Sequence, residues 1–318
     1  MHHKYLLVFA GLLLLAGCFV LTGCGGGGGP AAFTMTDAEI DAASGVTPQA
    51  VADGRIAFTR YRGNYDVWIM NADGTGQVNL TKDAASDSMP CWSPDGAKIA
   101  FVSDRIGSLA QVFVMNANGS GAVRLVTTPG AASHPAWSHN GKKIAFLATV
   151  GGVSQIFKVD PTGANLLQLT NTTAPNGPMA WLPDSSGLVF SSARSGGLQI
   201  WKMAADGSNP VQLTNSAGQN DMPDCTPTVK RIAFTSTRDG ASAIWTMNLD
   251  GTVPKRVATK PTGYRHPNWK PLGGYLTFAG DAPSSREIYT ILANGTGIFR
   301  ATNNVYYDDD PDWGPPAV

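Results

Sequence analysis

Three consecutive aspartates, Asp308, Asp309 and Asp310, lie near the end of the sequence and concentrate carboxylate oxygens in a short segment. Neighbouring carboxylates repel one another when ionised, and a hard cation such as calcium, which binds carboxylate oxygens, relieves that repulsion. These residues are therefore a candidate calcium site. A solvated acidic loop is the alternative, because loops are polar by default.

Polar and ionisable residues also recur at a fixed distance before a repeated position. The repeated position is occupied by Trp92, Trp137, Trp181, Cys225, Trp269 and Trp313. Cys225 occurs at the same spacing as the tryptophans. Core packing does not require polar side chains three to five residues earlier, so we predict a binding surface there, with solvated loops as the alternative. Its candidate residues are Asp87, Met89, His134, Asn176, Asp221, Met222, Arg265, His266, Asp309 and Asp310.

The elements that must hold these residues belong to a repeat of about 44 residues. Its phenylalanine series is Phe58, Phe101, Phe146, Phe190, Phe234 and Phe278. Each unit has four strand-length segments, and Asp-Gly or Asn-Gly pairs between them favour tight hairpins. Six such units are typical of a β-propeller, so we predict an all-β, six-bladed propeller in which the candidate residues surround the mouth of the axial channel.

The two ends of the repeat region complement each other. Trp313 marks a first strand that no further strands follow, whereas residues 55–59 form a second strand that lacks a first. We therefore predict that the ring closes when the C-terminal strand pairs into the N-terminal blade. This pairing removes an unpaired strand edge at each end.

The segments PCWSPDGAKIAFVSDR, QVFVMNANGSGAVRL and DVWIMNADGTGQVNLT resemble the WD40-like repeats of TolB-type six-bladed propellers, and the resemblance covers residues 54 to 313. In that family the corresponding face is where a peptidoglycan-associated lipoprotein docks, which implies a similar binding mode here. The sequence departs from the family before the repeats, because residues 30–52 are too few for the additional α/β domain of TolB.

These observations predict a scaffold that binds an envelope protein or peptide through its channel-mouth loops. Lys plus Arg and Asp plus Glu number 23 each, so no basic field attracts a nucleic acid. The sequence has no Gly-x-Ser-x-Gly, HExxH or phosphate-loop motif, and we predict a monomer that is not an enzyme and needs no cofactor beyond the candidate calcium ion. The alternative is a small-ligand or calcium-dependent propeller enzyme that uses acidic channel residues.

The N-terminal segment resembles a lipoprotein export signal, because a short positively charged segment precedes an apolar segment. Residues 21–24, Leu-Thr-Gly-Cys, resemble a lipobox, so we predict acylation of Cys24, with Cys18 as the alternative. The predicted domains are a signal peptide (1–23), a lipidated, glycine-rich tether (24–52) and the propeller (53–318). The protein is expected on the periplasmic side of a membrane, held only by this anchor, and Gly25 favours the outer membrane.

Two further cysteines, Cys91 and Cys225, fall in the second and fifth repeat units. In a ring of six units these lie on opposite sides of the axis, whereas a disulfide requires Cα atoms within about 7 Å. We therefore predict two buried free thiols.

Overall fold

The computed structural model describes residues 54–257, 263–283 and 285–315. The predicted signal peptide, the tether, Cys18 and Cys24 lie outside these residues. The described part of the chain consists of strands, turns and loops. Within it, no helix has the length and apolar character needed to cross a membrane.

The described residues form 24 strands. The first twelve are β1 (Arg55–Tyr61), β2 (Tyr65–Asn71), β3 (Val78–Asn79), β4 (Asp87–Trp92), β5 (Lys98–Ser103), β6 (Gln111–Asn116), β7 (Val123–Arg124), β8 (Ala132–Trp137), β9 (Ile144–Val150), β10 (Val153–Val159), β11 (Leu167–Gln168) and β12 (Asn176–Trp181). The others are β13 (Gly187–Ser192), β14 (Gln199–Ala204), β15 (Val211–Gln212), β16 (Asn220–Cys225), β17 (Arg231–Ser236), β18 (Ala243–Asn248), β19 (Lys255–Arg256), β20 (Arg265–Trp269), β21 (Tyr275–Ala282), β22 (Ser285–Leu292), β23 (Phe299–Arg300) and β24 (Tyr307–Trp313).

The strands form an all-β propeller with four separate four-stranded blades, namely β4–β7, β8–β11, β12–β15 and β16–β19. The remaining strands form one eight-stranded sheet in the order β20-β21-β22-β24-β1-β2-β3, and β23 pairs with β22. The prediction of six blades is therefore wrong. The number of separate blades differs because Arg286 of β22 pairs in parallel with Tyr307 of β24. This pairing joins, in one sheet, strands that the sequence repeat assigns to separate units.

The C-terminal strand β24 pairs antiparallel with β1, and Ile56 lies opposite Trp313. This register gives the last strand of the chain a partner in the first hairpin. The N-terminal strand thereby loses its open edge, which would otherwise present unpaired backbone groups to solvent.

The apolar core lies between neighbouring sheets. The repeated phenylalanines are fully buried, and one cluster joins Val67 of β2 to Trp92 and Phe101 of the next blade. Because both faces of a blade pack against neighbours, its central strands read as nearly continuous apolar segments in the sequence.

Candidate functional site

The innermost strands β4, β8, β12, β16, β20 and β24 surround a cavity of about 380 Å³. At one end, this cavity is lined by a ring of residues that lie three positions before the repeated tryptophan or cysteine, and we call them the mouth ring. Its members are Met89, His134, Pro178, Met222, His266 and Asp310. Residues that follow the repeated position, such as His139 and Pro271, line the opposite end.

The mouth ring is built by a repeated irregularity of the inner strands. Five of its members have a left-handed backbone although none is glycine, with φ values of 53° at Met89, 49° at His134, 54° at Met222, 50° at His266 and 49° at Asp310. A proline follows each of the five, and the pairing register shifts at that point in every inner strand. Proline fits such a bulge because no ladder donor is needed there.

This backbone conformation is strained. Left-handed φ values are uncommon for residues other than glycine, and a following proline further disfavours helical conformations. Because the same strain recurs in five inner strands, the fold holds these side chains at the mouth at an energetic cost. Strain of this kind clusters at functional sites.

His266, Asp309 and Asp310 form a compact cluster at the mouth. The distance from His266 Nδ1 to Asp309 Oδ1 is 2.8 Å, and that to Asp310 Oδ1 is 3.2 Å. Arg286 pairs with the other carboxylate oxygen of Asp309. Thr59 donates a hydrogen bond of 3.0 Å from its hydroxyl to Asp310 Oδ2. The side chains of this cluster are therefore held from several directions.

The charges in the cluster support one another. Burial opposes ionisation of Asp309, but the hydrogen bond with His266 and the charges of His266 and Arg286 outweigh burial and hold its pKa below the ordinary value. Burial also disfavours a charged His266, yet Asp310 and Asp309 raise its pKa. The pKa of Asp310 is raised, by burial first and by the charge of Asp309 second. The cluster thus favours an imidazolium paired with the Asp309 carboxylate.

His134 lies beside this cluster. Its ring centre is 6.3 Å from that of His266. Burial, together with the charge of His266, lowers the pKa of His134 to about 3, so its imidazole is neutral at pH 7. Its Nδ1 is buried and has no hydrogen-bond partner among the described residues.

The predicted site residues Asp87, Asn176 and Asp308 are among the six that do not line the cavity, the others being Asp221, Arg265 and Asp309. The first three share one arrangement. They are buried at the start of their strands, and each accepts a hydrogen bond from an arginine. The donors are Arg105 to Asp87 at 2.8 Å, Arg194 to Asn176 at 2.9 Å and Arg60 to Asp308 at 2.8 Å. Each arginine also lies over the aromatic rings of its blade. Asp87, Asn176 and Asp308 therefore stabilise the packing within their own blades.

Asp308 is placed differently from its two neighbours. Both of its carboxylate oxygens bind Arg60, and Asn304 donates a further hydrogen bond of 2.9 Å. His266, and not Asp308, completes the group of potential metal ligands with Asp309 and Asp310.

The remaining predicted residues, Asp221 and Arg265, are half-buried beside the mouth ring. Asp221 accepts hydrogen bonds from the Ser191 hydroxyl at 2.5 Å and from the backbone N–H of Met222 at 2.8 Å. Arg265 pairs with Asp281 at 3.3 Å. Asp221 therefore supports the mouth ring from behind, while Arg265 forms an ion pair at the mouth.

Sequence reasoning missed a second ring inside the channel, one position before the repeated tryptophan or cysteine. There, a side chain accepts the backbone N–H of the repeated residue in the next inner strand. The pairs are Cys91 with Trp137 at 3.4 Å, Asp224 with Trp269 at 2.7 Å, Asn268 with Trp313 at 2.7 Å and Asp312 with Trp92 at 2.6 Å. The signal was present in the sequence, because a hydrogen-bonding residue occupies this position in four of the six repeats.

Two members of this second ring are carboxyl groups with raised pKa values. Burial, together with the charge of Asp312, raises the pKa of Asp224 to about 8. Burial likewise raises that of Asp312 to about 7, although hydrogen bonds from Trp92 and Asn268 oppose the rise. The channel therefore holds carboxyl groups that titrate near neutral pH.

An aromatic surface adjoins the mouth and was also missed. The ring centres of Tyr61 and Tyr65 are 5.0 Å apart, and Tyr307 lies opposite Tyr61 in the sheet. Tyr307 is 53% exposed, and the guanidinium of Arg286 lies 6.0 Å from its ring centre. Exposed tyrosine and arginine side chains are enriched where proteins bind partners.

Comparison with known proteins identifies similar sequences. The TolB beta propeller domain family matches residues 44–132 and 124–224. The sequence is 38% identical over 79 residues to a "Protein TolB homolog" of Chlorobium luteolum, a match that covers 23% of this chain and 18% of that protein. It is 36% identical over 87 residues to the "Uncharacterized peptidase YuxL" of Bacillus subtilis, covering 24% of this chain and 13% of the relative. The matched segments thus span less than a fifth of either relative.

The fold is also similar to a crystal structure of TolB from Acinetobacter baumannii. The TM-score is 0.77, and the alignment covers 88% of this chain and 70% of that one. Sequence identity is 20%, so this likeness concerns the fold alone.

Proposed function

This chain belongs to the TolB beta propeller domain family, and on that premise we propose that it is a binding scaffold of the cell envelope. Its partner is a protein or peptide that docks at the channel mouth. The scaffold is a TolB-like propeller whose inner strands present a ring of side chains around the mouth.

The observation that carries this proposal is the recurrence of the left-handed backbone at Met89, His134, Met222, His266 and Asp310. Strained backbone persists only where the surrounding structure enforces it, and it clusters at functional sites. Five inner strands keep their side chains directed to the same end of the cavity. Preorganised side chains of this kind reduce the entropy that a binding partner must lose.

The chemistry of the mouth suits a peptide with apolar and charged groups. Met89 and Met222 offer flexible thioethers that adapt to irregular surfaces. Arg265 and Arg286 offer guanidinium groups at the edge, and exposed tyrosines such as Tyr307 extend the surface outwards. An extended peptide that spans the mouth and this aromatic surface could use both.

We propose binding and not catalysis. The sequence has no Gly-x-Ser-x-Gly or HExxH motif, and the peptidase-named relative shares only a segment equal to 13% of its own length. A fold that is shared over so short a segment does not by itself carry an activity.

The sequence of the first residues supports a proposal for the location. We propose acylation at Cys24, with Cys18 as the alternative, and attachment to the periplasmic side of the outer membrane. Mass spectrometry of the mature protein identifies the acylated cysteine. Cys24→Ser is expected to abolish the lipid modification, whereas a modification that persists in this variant and disappears in Cys18→Ser would assign the anchor to Cys18.

Site-specific photocrosslinking tests the binding face. A photoreactive phenylalanine analogue replaces Tyr307 beside the mouth, and a matched probe replaces Leu272, which is 71% exposed and follows the residue that lines the opposite end of the cavity. We expect the probe at position 307 to capture an envelope protein that the probe at 272 does not capture.

The triple variant Met89→Ala, Met222→Ala and Arg265→Ala provides the second arm. It is expected to abolish the crosslink at 307 without a change in the yield of folded protein. Equal capture from both positions, or capture that survives the triple variant, would contradict binding at this face.

A further inference from the structure

We propose that His266, Asp309, Asp310 and His134 bind one divalent transition-metal ion of the zinc class at the channel mouth. The inference concerns side chains of the described residues and does not depend on the proposed partner. It differs from the calcium site that the three aspartates predict, because it replaces an oxygen ligand by imidazole nitrogens.

Three of the four ligands already converge. The ligand atoms of His266, Asp309 and Asp310 lie within 4.8 Å of one another. His266 Nδ1 is 2.8 Å from Asp309 Oδ1 and 3.2 Å from Asp310 Oδ1. Ligand atoms around a tetrahedral zinc ion are about 3.3 Å apart, so the cluster needs only small movements to admit the ion.

His134 supplies the independent observation. Its Nδ1 is buried and without a hydrogen-bond partner among the described residues, which is costly for a polar atom. The rings of His134 and His266 have centres 6.3 Å apart. Two imidazoles that bind one tetrahedral ion at about 2.1 Å hold their ring centres roughly 5.3 Å apart, so the ring of His134 must approach that of His266 by about 1 Å to share the ion.

Surrounding groups orient the carboxylate ligands. Thr59 donates to Oδ2 of Asp310 at 3.0 Å, and Arg286 binds Oδ2 of Asp309. In both residues Oδ1 therefore remains directed at His266. Outer contacts of this kind are typical of metal sites, where they fix the ligands in position.

The donor set favours a zinc-class ion over calcium. Calcium requires six to eight oxygen ligands, whereas zinc binds four ligands that commonly include imidazole. The third aspartate cannot add oxygens, because both oxygens of Asp308 bind Arg60 at 2.6 and 2.8 Å. Two imidazoles and two carboxylates are a set that suits zinc.

Isothermal titration of the purified full-length chain with zinc or calcium tests the site. The background carries His2→Ala and His3→Ala, so that the N-terminal imidazoles cannot contribute. We expect one zinc ion per chain, and a Tm about 5–10 °C higher at a zinc concentration 100 times the Kd. Calcium at the same concentration is expected to leave the Tm unchanged.

Substitutions then locate the ion. His266→Gln and Asp310→Asn, the latter chosen because asparagine tolerates a left-handed backbone, should each weaken zinc binding by roughly tenfold or more. His134→Gln should weaken it as well. Asp83→Asn is the control, because Asp83 is a carboxylate that pairs with an arginine outside the ligand cluster, and it should leave the affinity unchanged.

Three results would overturn the proposal. These are the absence of zinc binding to the parent chain, an affinity unaffected by both His266→Gln and Asp310→Asn, and a calcium affinity equal to that for zinc. The Tm of each metal-free variant shows whether the variant is folded. Since Asp310→Asn keeps the hydrogen bond from Thr59, it tests the ligand even if His266→Gln is unstable.

Discussion

Asp312 accepts a hydrogen bond from the backbone N–H of Trp92, with 2.6 Å between Oδ2 and N, although 220 positions separate the two residues. Strand β24 is thus tied on one side to β1 by pairing and on the other to β4 by this side chain. The same type of bond links Asp224 to Trp269. These bonds connect neighbouring inner strands, which the backbone ladders do not do.

Replacement of Asp312 by alanine should destabilise the propeller. The substitution leaves the buried N–H of Trp92 without its acceptor, and an unsatisfied buried donor costs about 1–3 kcal/mol. We expect the free energy of unfolding to fall by that amount in a urea titration. Asp312→Asn retains an acceptor oxygen and should lose less than half as much. Equal losses for both variants would show that charge, and not the hydrogen bond, matters at this position.

The stability of the protein should depend on pH through Asp224. Its pKa is about 8 in the folded protein, whereas its ordinary value is 3.8. Between these values the folded state keeps a proton that the unfolded state releases, so this residue makes the protein less stable as the pH rises. Below pH 3.8 the residue has no such effect, and above about pH 8 the loss is complete.

The variant Asp224→Asn isolates this contribution. An asparagine already occupies the corresponding position in the next inner strand, where Asn268 Oδ1 accepts the N–H of Trp313 at 2.7 Å. We expect the variant and the parent to differ little at pH 4, and the variant to be more stable by about 5 kcal/mol at pH 8. Urea titrations at both pH values measure the difference, and a difference that does not change with pH would contradict the raised pKa.

The sequence predicted the strands because they depend on a periodic pattern. Six repeats placed Met89, His134 and His266 in equivalent positions, and the structure has them lining the same end of the cavity. The number of separate blades could not be predicted in the same way. The parallel pairing of Arg286 with Tyr307 is a contact between repeat units, and the repeat describes only pairings within a unit.

For the same reason, the sequence could not predict which of the candidate site residues face the cavity. Asp308, Asp309 and Asp310 are identical in chemistry and adjacent in sequence, yet the bulge directs Asp310 into the cavity and leaves Asp308 beneath Arg60. The sequence pattern does not predict how a bulge shifts the pairing register of a strand. His266 joins the cluster only because β20 and β24 are neighbours in space.

The two cysteines should be unreactive in the folded protein. Both are free, which confirms the prediction that no disulfide links them, and Cys225 is buried whereas Cys91 is half-buried. Burial is the main cause that raises the pKa of both thiols well above the ordinary value, and only the thiolate reacts readily. We expect a thiol reagent at pH 8 to modify neither cysteine in the native Cys18→Ser/Cys24→Ser protein and both in urea. Rapid modification of the native protein would contradict the enclosed channel.

The buried pair of Arg60 and Asp308 should be worth far more than any exposed pair of this surface. Their side chains are 5% and 0% exposed, and the distance from Arg60 Nε to Asp308 Oδ1 is 2.6 Å. Asp308→Ala leaves a buried guanidinium without its counter-charge, so we expect a loss of about 3–5 kcal/mol in the free energy of unfolding. Asp281→Ala, which removes the exposed partner of the half-buried Arg265, should cost less than about 1 kcal/mol.

The same comparison separates packing from metal binding within the three aspartates. Asp308→Asn is expected to reduce the free energy of unfolding and leave the zinc affinity unchanged, because Asp308 lies outside the ligand cluster. Asp310→Asn should do the reverse, since asparagine keeps the hydrogen bond from Thr59 but loses the charge that binds the ion. Urea titration and zinc titration of the two variants measure both quantities, and a loss of zinc affinity in Asp308→Asn without a loss of stability would assign Asp308 to the site.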